Sequence, residues 1–256
     1  MDTAELATTP ELAGEPELVL IGGGCLVRAN LLEDRATHFF DWLLSDFDAV
    51  VHFFEHIDDD DAFGPAAWTL DDVRARQHAR LGMYRKVEHR QLTLVSLHDF
   101  LAHRGAPADQ LEAFVARYAR RRERLVALLE RSRAVALVHV PFAPRELLLD
   151  ADARERVPSE RDVARLLAVL AARFPRCACT VHVALRPAVA RAVARGEAPP
   201  CPPNARAHAL TAVGRPDGDA EWKEAELDWD ALFARARGKP STGPPPPRGP
   251  DRKSVV

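Results

Sequence analysis

The sequence predicts an α/β fold, a single domain with a mostly parallel sheet flanked by helices. Two observations carry this. From Gln91 onward the pattern runs strand, helix, strand, helix, strand, strand, helix, an alternation that favours helices packed on a sheet. The chain has 256 residues, enough to bury a core without disulfide or metal staples.

Taken in order, residues 1–17 are acidic and read as a tail. They lack the basic and apolar regions of a signal peptide, so the chain is expected to be cytoplasmic. Leu18 opens a short apolar run stopped by Gly22, Gly23 and Gly24, read as a buried strand ending in a tight turn, with a helix starting at Cys25. Phe47, Val50, Val51, Phe54 and Ile57 recur at helical spacing, and Asp58 to Asp61 end that helix. A further helix is expected over Asp71 to Leu81. Gln91 to Leu97 reads as a strand leading to His98-Asp99-Phe100. The longest helical pattern covers Pro107 to Arg131, with Leu111, Phe114, Val115, Tyr118, Leu125 and Leu129 on one face. Residues 134–140 form an apolar strand before Pro141, and Ser159 with Asp162 spells a capping box for a helix through Phe174. Residues 177–185 and 205–213 read as strands, and Ala220 to Arg237 as the last helix. The domain is thus 18–237, followed by a Pro-rich tail over 238–256.

Lys and Arg number 35 against 38 Asp and Glu, a formal charge of −3, which argues against nucleic acid as a partner. No window approaches the ~20 apolar residues of a membrane span. The four cysteines are too few for a disulfide framework, and their thiols are left for packing or chemistry.

Cys25 is the first candidate for chemistry. It follows a strand and a glycine turn and opens a helix, where backbone N–H groups and the helix dipole favour a thiolate. His98, at the end of a strand, is a candidate base. By the period of two, Leu92, Leu94, Ser96 and His98 share one face while Asp99 points to the other, so Asp99 orients His98 only if the strand breaks there. Asp41, embedded in Phe39-Phe40-Asp41-Trp42, is either a buried carboxylate that orients a histidine or the N-cap of a helix.

These motifs, in their order, resemble a known family. Gly-Gly-Cys25 after a strand, Phe40-Asp41-Trp42, His98-Asp99-Phe100, then Tyr118 with Arg120, Arg121 and Arg124, are similar to a domain family of unknown function described as predicted papain-like cysteine peptidases, found in bacteria and large DNA viruses. The likeness covers about Leu18 to Val140. It implies Cys25 as nucleophile, His98 as base and Asp41 or Asp99 as the polar third member, in a hydrolase or acyl transferase acting on a protein or peptide, with no cofactor or metal. The chain departs from the family pattern at Gly24, Phe39 and His139. A Rossmann-like layering suits the strand and helix alternation at least as well as a papain-like core. A second functional reading is a non-catalytic interaction protein, a viral modulator of host factors, whose tails bind partner domains.

Other motifs compete. His52, Glu55 and His56 match the H-x-x-E-H zinc pattern, but at 100° per residue both histidines fall opposite the apolar face. Cys177 and Cys179 share a strand face that His182 does not, which favours packing over zinc. Gly22-x-Gly24 lacks the third glycine of a dinucleotide fingerprint, since Val27 stands there. The Arg120 to Arg124 cluster reads as a solvated face before an anion site. Ser254-Val255-Val256 has the form that carboxylate-capturing PDZ domains accept, and the proline run offers two P-x-x-P frames.

Overall fold

In the computed structural model, residues 15–22, 37–71, 86–96, 107–141, 157–185, 187–196, 200–209 and 228–239 are described. Four strands, β1 (Glu17–Leu20), β6 (Ala134–His139), β7 (Ala178–Leu185) and β8 (Arg206–Ala209), form a sheet in the order β1-β6-β7-β8. Every pairing in it is parallel. Parallel strands need crossovers. Helices α3 (Glu160–Arg173) and α4 (Pro187–Ala194) supply them between β6, β7 and β8.

The apolar runs are continuous because both faces of this sheet are covered. Leu18, Leu20, Ala136, Val138 and Ala184 pack with Trp229, Leu232, Phe233 and Ala236 of helix α5 (Trp229–Ala236). Val19, Ile21, Val135, Leu137, Val181 and Val183 face the larger core with Val163, Leu166 and Leu170 of α3. Glu15 pairs with Arg237 and Lys239, tying the chain just before β1 to the end of α5.

A second sheet, antiparallel and in the order β2-β5-β4-β3, accompanies the first: β2 (Leu44–Ser45), β3 (Trp68–Asp71), β4 (Lys86–His89) and β5 (Leu94–Ser96). Its Trp68, Val87 and Leu94 belong to the same core as the parallel sheet. The chain is therefore mixed α/β, with the parallel sheet flanked by helices and a smaller antiparallel sheet beside it. Aromatic rings make the join. Phe39 lies 4.2 Å from Phe53 and 5.5 Å from Tyr118, and Trp68 lies 5.0 Å from Phe114, all at tilted or edge-on angles that suit ring quadrupoles.

Helix α1 (Phe47–Glu55) is shorter than the apolar run around it. Asp46 is the N-cap, accepting the Ala49 N–H at 2.8 Å, so Phe39 to Trp42 form a turn and Leu44 starts a strand. Helix α2 (Pro107–Arg131) has the bounds its periodicity predicts. Asp71 ends a strand instead of opening a helix, while the rest of the helix expected to Leu81 lies outside the described residues. The capping box at Ser159 forms as expected, with Asp162 N–H donating to Ser159 Oγ and Ser159 N–H to the Asp162 carboxylate, both at 3.2 Å. No described helix is long and apolar enough to cross a membrane.

Candidate functional site at the carboxyl edge of the parallel sheet

Strand β1 points its carboxyl end toward Gly22, beside the carboxyl end of β6 at His139. The local sequence explains the meeting. Ile21 continues the ladder, its N–H donating to the Val138 carbonyl at 2.9 Å, so Ile21 stands opposite His139 and Gly22, one residue on, meets the His139 imidazole. A Cβ on Gly22 would collide with His139 Nδ1 and stand 3.2 Å from the Ser45 carbonyl oxygen. Only glycine lets the imidazole lie against the backbone here.

His139 is buried, edge-on to Phe47 at 5.1 Å, with Nδ1 3.4 Å from the Ile21 carbonyl oxygen. A carbonyl can only accept, so the proton belongs on Nδ1 and the lone pair on Nε2. Burial pulls the imidazole down to about 4, against a weaker upward pull from the Ile21 carbonyl. The ring is therefore neutral at pH 7. Ser45 Oγ also reaches the Ile21 carbonyl, at 3.4 Å.

Cys25 follows Gly22-Gly23-Gly24 in the sequence, and it lies outside the described residues, as do His98 and Asp99. Asp41 is described. It is buried in the turn before β2, where one carboxylate oxygen accepts the His38 N–H at 2.7 Å. That contact closes a turn and does not cap a helix. The structure gives no distance between any two of Cys25, His98, Asp41 and Asp99.

The remaining thiols are poorly suited to attack. Cys177 and Cys179 sit on the core side with sulfurs 3.7 Å apart, and burial pushes both thiols up, as it does that of Cys201. His182 lies on the opposite sheet face, where its Nδ1 is 2.8 Å from His208 Nε2. The two rings are within 6° of coplanar with centroids 5.0 Å apart, a side-by-side hydrogen-bonded pair. Burial pulls His182 down to about 4, helped by the charges of His208 and Arg206. The H-x-x-E-H residues on α1 do not form a metal centre: Glu55 makes two 2.6 Å hydrogen bonds to Arg165, and His56 is exposed. Among the described residues no three His, Cys, Asp or Glu side chains could hold a metal ion together.

Comparison with protein-family models, with curated proteins and with solved structures finds no match to this chain.

Sequence reasoning did not single out His139 or the His182–His208 pair as site candidates. A signal existed for both, since each strand interrupts an apolar run with a histidine that has nowhere to go but inward. Charge patterning groups Arg121 with a solvated cluster, although Tyr118, Arg121 and Leu125 are spaced to share the buried face of α2. It is in fact buried, whereas Arg120 is exposed.

Proposed function

We propose that the chain is a cysteine hydrolase or acyl transferase with Cys25 as nucleophile, its site at the carboxyl edge of the parallel sheet. The observation that carries this reading is the course of the backbone at Gly22. β1 ends at Leu20 and its ladder at Ile21, so Gly22 leaves the carboxyl edge of the sheet, the edge where open α/β sheets receive their ligands, and the sequence places Cys25 three residues further on. The acidities of the other thiols support it, since burial keeps Cys177, Cys179 and Cys201 protonated at neutral pH.

In this mechanism the Cys25 thiolate attacks an acyl carbonyl, and backbone N–H groups receive the oxyanion. The tetrahedral intermediate collapses to a thioester as His98 gives its proton to the leaving group. Water or a second nucleophile, deprotonated by His98, then takes the acyl group and frees the thiolate. Asp41 or Asp99 orients the imidazole. A protein or peptide is the proposed substrate class. His139 acts as a positioning residue, fixing the path of the backbone at Gly22.

Acyl trapping tests the proposal. Incubation of the full chain with an activated ester is expected to give one acyl adduct on Cys25 by mass spectrometry. Cys25→Ser should abolish it and His98→Ala should slow its formation by about 10²-fold or more. Acylation spread over Cys177, Cys179 and Cys201, or undiminished in Cys25→Ser, would overturn the proposal.

A further inference from the structure

The arginines of α2 divide into distinct roles. Arg122 reaches Asp60 and donates to the Asp59 carbonyl at 3.0 Å. Arg124 donates to the Thr37 carbonyl at 3.0 Å and to its hydroxyl at 3.3 Å. Arg121, between them in sequence, turns inward: it is 7% exposed, with its guanidinium carbon 4.6 Å from the Tyr118 ring centroid. Its Nε and Nη1 are buried and make no hydrogen bond, and no carboxylate among the described residues pairs with it.

Such a group is expensive. A guanidinium does not shed its proton in a protein, so burial cannot be relieved by neutralisation as it is for His139. The Tyr118 ring face attracts the cation but accepts no N–H hydrogen bond of ordinary strength. Glu123 cannot serve, because two residues along a helix place it about 200° around the axis from Arg121. Asp60 is engaged by Arg122. Buried guanidinium N–H donors without an acceptor mark a binding group for an anion.

We propose that Arg121 anchors a binding site for a phosphate group, carried by free phosphate or a phosphate monoester. The guanidinium fork suits any planar or tetrahedral oxyanion. Charge selects among them. With Arg122 paired to Asp60, Arg117, Arg120 and Arg124 still outnumber Glu123 between Arg117 and Arg124, a local field that favours a dianion over a carboxylate. The proposal does not rest on the thiol chemistry of Cys25.

Thermal unfolding of the full chain tests it, with sodium phosphate, phenyl phosphate, sodium acetate and sodium chloride compared at equal ionic strength. Phosphate is expected to raise Tm above the chloride value by mass action on the native state. A matching rise with phenyl phosphate assigns a monoester, and a rise with inorganic phosphate alone assigns the free ion. Arg121→Met should lose the phosphate-dependent rise and, without phosphate, unfold above the parent, because an unpaired buried charge has been removed. Arg121→Lys, which keeps the charge and loses the fork, should lose most of the rise. Arg120→Met should keep it. Equal shifts with phosphate and chloride, an equal shift with acetate, or a full phosphate shift in Arg121→Lys would overturn the proposal.

Discussion

At the scale of single residues, the contact between Gly22 and His139 links packing to the candidate site. A methyl on Gly22 has no room while the imidazole occupies its place against Phe47. Gly22→Ala is therefore expected to cost about 1–3 kcal/mol, the usual range for overpacking a filled core. Removing the imidazole should remove most of that cost, so in a His139→Ala background Gly22→Ala should cost clearly less, with only the 3.2 Å approach to the Ser45 carbonyl left to relieve. A double-mutant cycle by urea unfolding reads the coupling; additive costs would mean that Gly22 is required for another reason. The glycine was legible in the sequence as a turn. Its function as a seat for His139 was not, because the residue it accommodates lies 117 positions away in the chain.

Elements were legible in proportion to their length and local signals. α2 and α3 carry amphipathic periodicity over 25 and 14 residues, and α3 begins at a capping box that the sequence spells out. The two orphan amides satisfied there make the cap worth about 1 kcal/mol, so Ser159→Ala should lower stability by that amount and Ser159→Asp should preserve it. Denaturant midpoints of the two variants check this, and equal losses would show that the side chain contributes through something other than capping. Of the antiparallel sheet, only β5 falls within a strand the sequence predicts, over Gln91 to Leu97. β2 to β4 are two to four residues long, too short for the apolar-polar alternation of Trp68 to Asp71 to stand out as a strand. Their pairing is set by the shared core at Trp68, Val87 and Leu94, which is tertiary information. α4 escaped notice for the same reason, being only eight residues long.

Across the whole molecule, the α/β class and the parallel sheet followed from the order of strands and helices, while the pairing of the second sheet depended on long-range contacts and the inward arginine showed only in its helical spacing with Tyr118 and Leu125. Buried histidines also set how the molecule responds to acid. Burial pulls His139 and His182 from the ordinary imidazole value of about 6.5 down to about 4. Between those values the unfolded chain binds more protons than the native one, so stability falls as pH drops from about 6.5 toward 4 and is fully present above that window. Unfolding free energies measured across it should show a shallower slope in His139→Phe than in the parent; identical slopes would show that His139 titrates alike in both states. The central claim concerns Cys25, and the pH dependence of its alkylation by iodoacetamide, followed by peptide mass spectrometry in the parent and in His98→Ala, tests it most directly. The account predicts that Cys25 reacts ahead of Cys177, Cys179 and Cys201, with an apparent pKa in the range of about 3.5–7.5 that rises when His98 is removed. A Cys25 that titrates near the ordinary thiol value of about 8.5, indifferent to His98, would contradict it.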